Sequence, residues 1–85
     1  MPEISRFFGI VIAMYYRDHA PPHFHARYGG HEVTVRVRDG LVTGKFPARP
    51  LGLVLEWYIR HREELAENWE LARRRKPLHR IDPLE

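Results

Sequence analysis

His23-Phe24-His25-Ala26-Arg27-Tyr28-Gly29-Gly30-His31-Glu32-Val33-Thr34-Val35-Arg36-Val37-Arg38 is the stretch that decides the fold. Before the double glycine, Phe24, Ala26 and Tyr28 alternate with His23, His25 and Arg27; after it, Val33, Val35 and Val37 alternate with Thr34, Arg36 and Arg38. Successive side chains of a strand leave opposite faces, so each half reads as a strand with one covered and one open face. Gly29-Gly30 supplies a two-residue hairpin turn, whose central positions favour residues that tolerate positive φ. With those glycines in the loop, Tyr28 faces His31, Arg27 faces Glu32, Ala26 faces Val33, His25 faces Thr34, Phe24 faces Val35 and His23 faces Arg36. Apolar side chains meet apolar ones and Arg27 meets an opposite charge, as cross-strand pairing favours.

Downstream, Asp39-Gly40 is a second hairpin signal, setting Val37 against Val42 and Val33 against Phe46. Upstream, Phe7 to Tyr16 is a nearly continuous apolar run, which reads as one strand covered on both faces, with Gly9 marking a bulge or a close backbone approach. It ends at Arg17-Asp18-His19-Ala20-Pro21-Pro22, a stiff connection of polyproline character. Strands are thus expected over about 6–16, 23–28, 31–38 and 41–46.

From Pro47 the period changes: Leu51, Val54, Leu55, Tyr58, Leu65, Trp69 and Ala72 recur at helical intervals. The spacing predicts a helix over about 48–75, with Pro47 or Pro50 in its first turn, Arg73 to Lys76 at its positive-charge-favouring end, and Pro77 stopping it. A bend near His61 or Arg62 would split it in two. Glu56–Arg60 and Glu70–Arg74 are i,i+4 pairs in the favourable orientation. Residues 77–85 read as an extended tail that Ile81 and Leu84 pin to the body. The expected architecture is a single α+β domain over 1–85: a four-stranded antiparallel meander with one long C-terminal helix on its apolar face.

Composition narrows the chemistry. No cysteine is present, which excludes a disulfide framework, a thiol nucleophile and a cysteine zinc site. No apolar run approaches the roughly 20 residues of a membrane span, and Met1-Pro2-Glu3 does not open a secretory signal; a cytoplasmic location is expected. The net charge is +3: residues 1–49 hold seven Lys/Arg against four Asp/Glu, and residues 50–85 hold seven against seven. Twelve of the fourteen basic residues are arginine, which suits bidentate contact with phosphate or carboxylate but also follows from a GC-rich coding sequence.

Four of the six histidines lie between Asp18 and His31. The hairpin register gathers His23, His25, Arg27, Arg36, Arg38 and Lys45 on one open face, with Tyr15, Tyr16 and Tyr28 nearby. Such a face contacts an RNA backbone through phosphate pairing and stacking, meets a partner protein, or simply faces solvent. A second chemistry is metal ligation: His23 and His25 project from one face, and Asp18 and His19 add loop ligands for zinc, nickel or iron. His-X-His is common by chance, His31 faces away, and the same imidazoles would serve to fix the Pro21-Pro22 loop through backbone carbonyls, so no cofactor is assigned. A third is acid–base catalysis, a metal-independent ribonuclease using His23 and His25 with Arg36 for the developing charge. Ser5 is the only serine, and no acyl-transfer arrangement is suggested. Arg73 to Lys76 reads as a solvated helix end, and Trp57 and Trp69 as core or interface aromatics, Trp57 flanking the apolar stripe.

Pro2-Glu3-Ile4-Ser5-Arg6-Phe7-Phe8-Gly9-Ile10, Met14-Tyr15-Tyr16, Asp18-His19 with Pro21-Pro22-His23-Phe24-His25, Tyr28-Gly29, Glu56-Trp57, His61-Arg62-Glu63-Glu64-Leu65, Glu67-Asn68-Trp69 and Ile81-Asp82-Pro83-Leu84-Glu85 together resemble the bacterial family known as domain of unknown function 4160. The resemblance spans essentially the whole chain, and its Pro-Pro-His-Phe-His core is specific. It implies a small stand-alone protein, often encoded beside another short protein, and so one component of a toxin–antitoxin-like two-gene module whose partner is the adjacent gene's product. It carries over no catalytic residues. Homodimerisation stays open.

Overall fold

Phe8 and Gly9 both adopt positive φ, 50° and 79°, the two-residue turn geometry whose twist matches that of paired strands. They divide the N-terminal apolar run into β1 (Glu3–Phe7) and β2 (Ile10–Ala13), with Phe7 opposite Ile10. The single strand expected over 6–16 is therefore a hairpin, and the sheet has five strands rather than four. An unbroken apolar run hides such a turn, because its loop residue Phe8 is itself apolar although it stands 60% exposed. The computed structural model describes residues 2–85. The remaining elements are β3 (His23–Tyr28), β4 (His31–Arg36), β5 (Val42–Lys45), α1 (Ala48–Arg60) and α2 (Arg62–Arg73). The sheet is an antiparallel meander in the order β1-β2-β3-β4-β5.

The β3–β4 register is the one the sequence predicts at all six pairs, from His23–Arg36 to Tyr28–His31. The β4–β5 register is not. Val35 faces Val42 and Val33 faces Gly44, two residues away from the expected Val37–Val42 and Val33–Phe46 pairs. The loop is longer than Asp39-Gly40: Arg36 N–H donates to the Leu41 carbonyl at 2.9 Å and Gly40 N–H to the Arg36 carbonyl at 2.8 Å. Asp39 fastens it, accepting from Arg36 Nε and Nη2 and from the Leu41 N–H. A slip of two keeps every side chain on its expected face, so the alternation alone does not reveal it. Because β4 ends at Arg36, Arg38 lies in this loop, where its carbonyl accepts from Arg62 Nη2 at 2.6 Å.

One expected helix is two. His61 leaves helical space at φ −128°, ψ 26° and caps both. The α2 terminus closes with Arg75 at φ 57°, Arg75 N–H on the Ala72 carbonyl and Lys76 N–H on that of Leu71, a Schellman arrangement. Glu56–Arg60 forms at 3.0 Å, whereas Glu70 pairs with Arg73 instead of Arg74. Trp57 does not flank the stripe but sits fully buried at its centre, its ring against Phe7 and Phe24 at 5.6 Å centroid separation. Phe24, Ala26, Val33 and Val35 from the sheet and Val54, Trp57, Leu65 and Trp69 from the helices form the core. Full burial of each large apolar side chain contributes about 1.5–3 kcal/mol.

The tail closes the molecule. Ile81 and Leu84 are buried, Trp57 Nε1–H donates to the Asp82 carbonyl, and Asn68 exchanges two 2.9 Å bonds with the His79 backbone. Ile81 N–H donates to the Ile4 carbonyl on the outer side of β1, and Arg80 reaches Glu3; together these cover an edge that would otherwise template pairing. Hydrogen bonds from Arg6, joined by Arg80 and opposed by burial, hold the Glu3 carboxyl down at about 2. Among the described residues no helix is long and apolar enough to cross a membrane.

Gly44 combines φ of +114° with a neighbour: a Cβ there would stand 2.8 Å from the Glu32 carbonyl oxygen. Gly44→Ala is expected to destabilise by about 1–3 kcal/mol through strain and collision, read as a lowered melting temperature. Gly30→Ala, whose Cβ meets nothing within 4 Å, should leave it nearly unchanged; equal effects of the two would contradict the β4–β5 register.

Candidate metal centre

β3 presents His23 and His25 on the sheet face opposite Phe24 and Ala26, because residues two apart share a face. The 14–22 connection returns over that face and brings Asp18 between the two rings. Asp18 Oδ2 lies 2.8 Å from His23 Nε2 and 2.9 Å from His25 Nε2. The other ring nitrogens are also held: His23 Nδ1 at 2.7 Å from the Pro21 carbonyl, His25 Nδ1 at 3.0 Å from Glu32 Oε2. His23 thus does fix the Pro21-Pro22 loop, as Val37 N–H does through the Pro22 carbonyl at 2.9 Å. Asp18 Oδ1 accepts the His19 N–H. The rings stand 5.2 Å apart, His25 edge-on to Tyr15 at 4.5 Å and His23 against Trp69 at 5.3 Å.

The protonation count at this cluster is restrictive. A neutral imidazole has one N–H, and a backbone carbonyl or a carboxylate only accepts. All four ring nitrogens of His23 and His25 face oxygen acceptors, so two neutral rings supply half the protons those contacts need. Without a bound ion, satisfying all four contacts takes two protons more than the neutral rings supply. Burial raises the Asp18 carboxyl, but the bonds and charge of His25 and His23 outweigh it and leave Asp18 below its usual value. If instead each Nδ1 keeps its proton, both Nε2 lone pairs face Asp18 Oδ2, and one cation drawn in among the three atoms would replace the two protons. One ligand atom from each of Asp18, His23 and His25 lies within 4.8 Å of the others. Tetrahedral zinc with ligands near 2.1 Å needs edges of about 3.4 Å, so each present contact would open by about half an ångström. Outer acceptors on both Nδ1 atoms are the usual support of metal-binding histidines.

Three of the four metal candidates named by the sequence are brought together. The fourth, His19, stands 3.6 Å from Asp18 with its side chain 92% exposed. The basic face is less uniform than the sequence implies. Glu32 lies in register between Arg27 and Lys45. Arg36 is half-buried and bound through two N–H groups to Asp39, whose carboxyl those bonds hold well below the carboxylate range. Arg38 belongs to the following loop and not to the face. Tyr28 lies on the apolar side, near Phe46 and beneath Gly9, away from His23 and His25.

Glu32 and Trp69 are site neighbours that the sequence reading missed, whereas Tyr15, expected near this face, does stand against His25. Glu32 was recoverable, since the register makes it the diagonal neighbour of His25. No curated protein and no solved structure matches the chain. A family model described as "Domain of unknown function (DUF4160)" matches residues 9–70, a span that contains Asp18, the Pro21-Pro22 loop, both histidines and Glu32, and on that match the chain belongs to the DUF4160 family.

Proposed function

We propose that this protein binds one divalent transition-metal ion through Asp18, His23 and His25, with the remaining coordination positions facing the cleft beside β4. The convergence of both Nε2 atoms on one carboxylate oxygen, with both Nδ1 atoms held from behind, carries this reading. A nitrogen- and oxygen-donor set without thiolate suits zinc, and two histidines with one carboxylate also suit iron(II). In this reading Glu32 and the Pro21 carbonyl are positioning groups that fix which nitrogen of each ring is left to bind.

Protein purified without a histidine tag is expected to take up one equivalent of zinc per chain in calorimetric titration. His23→Ala/His25→Ala should abolish uptake, and His31→Ala, an exposed histidine at the hairpin turn, should not. Uptake that survives the double substitution, or none by the wild type, contradicts the proposal. Glu32→Ala is expected to weaken binding about 10–100-fold without changing stoichiometry; unchanged affinity would remove Glu32 from the site.

The open sheet face also supports a protein contact. The core aromatics pack against its opposite side, while Leu41 and Lys45 stand exposed at the face's edge. Asp18, Glu32 and Asp39 are interleaved with its cations, a pattern that suits a protein surface better than an RNA backbone. The partner we propose is the adjacent gene's product, within the toxin–antitoxin-like module that the family resemblance implies. Co-expression should yield a complex that Lys45→Glu weakens; separate elution of the two proteins would contradict it.

A further inference from the structure

The cleft that adjoins the three ligands has a volume of about 320 Å³, and Asp18 is the only carboxylate residue lining it. The β3–β4–β5 register sets its floor. Arg36 stands opposite His23, Thr34 opposite His25, and Thr43 opposite Thr34. Neighbouring strands run about 4.8 Å apart, so a guanidinium and a hydroxyl lie one strand away from the imidazoles and a second hydroxyl lies two away. Arg36 gives Nε–H and one Nη2–H to Asp39, which leaves about three of its five N–H groups for another acceptor. Asp39 thereby orients the guanidinium without consuming it. Apart from the ligands themselves, the polar side chains contributed by β4 and β5 to this cleft are all able to donate hydrogen bonds.

A donor-rich floor beside a cation selects an oxyanion, and the planar guanidinium favours one with several equivalent oxygens. We propose that the cleft binds a phosphate ester, with one non-bridging oxygen on the ion held by Asp18, His23 and His25 and the others on Arg36 and Thr34. The inference rests on the metal reading above and deepens it by naming the ligand class. The cleft's volume suits a phosphate carrying a small alcohol or a single sugar. Thr43, further from the ion, meets the ester substituent.

The test is calorimetric titration of phenyl phosphate into zinc-loaded, tag-free protein, with zinc content measured separately for every variant. The expected result is saturable binding to the loaded wild type, at least tenfold weaker binding to loaded Arg36→Ala and to loaded Thr34→Val, and none after chelation. Phenyl phosphate binding equally to both loaded variants, or not at all to the loaded wild type, overturns the phosphate inference while leaving the metal centre standing. Failure of the wild type to take up zinc overturns both. A ribodinucleotide monophosphate run in parallel separates the ester classes: tighter binding than phenyl phosphate identifies a diester ligand, weaker binding a monoester.

Discussion

Two imidazoles meeting one carboxylate oxygen form the contact around which this protein's working face is arranged. The strand supplies the first half of the constraint: a period of two holds His23 and His25 on one side of β3 while Phe24 and Ala26 anchor the other side in the core. The loop supplies the second half, since Asp18 reaches both rings only because the 14–22 connection folds back over the sheet. That loop is held in turn by the histidine it serves, through His23 Nδ1 on the Pro21 carbonyl. Asp18 and the side chains of both histidines are 13–17% exposed, sheltered enough for their interactions to exceed those of a surface ion pair.

The rest of the fold keeps this arrangement stiff. A domain of this size has little core to spare, and Trp57 occupies the middle of it, touching Phe7 of β1 and Phe24 of β3 and donating to the tail at Asp82. One side chain thereby ties together both ends of the chain and the strand that carries the site. The tail covers the outer edge of β1 through Ile81 and Arg80, leaving β5 as the less protected edge of the sheet. Trp69 extends the coupling from α2, as its ring packs against His23. A substitution in the helices can therefore reach the site through packing alone.

Much of this was legible in the sequence, and the misses have specific causes. The β3–β4 register was readable residue by residue because Gly29-Gly30 fixes the loop and alternation fixes the faces. The β4–β5 register was not, because Asp39-Gly40 looks like a two-residue turn while Asp39 in fact ties a four-residue loop through Arg36 and Leu41. The first hairpin was hidden by an exposed phenylalanine in its turn. The histidine cluster was visible, and so was Asp18 as a candidate, but the sequence could not say that both Nε2 atoms would share one oxygen. That depends on the path of a loop, for which no periodicity exists. The basic face was overstated because Asp39 was read as a turn residue and not as the partner of Arg36, and Glu32, set opposite Arg27, was not also placed beside Lys45 and His25.

The measurement that tests the central claim most directly is the state of each ring nitrogen of His23 and His25, read by nitrogen-15 NMR of labelled, tag-free protein before and after one equivalent of zinc. The account predicts that zinc shifts both Nε2 resonances to the range of coordinated nitrogen while both Nδ1 atoms keep their protons toward Pro21 and Glu32. Unmoved Nε2 resonances, or coordination appearing at Nδ1 or at His19, His31 or His79 instead, would contradict it.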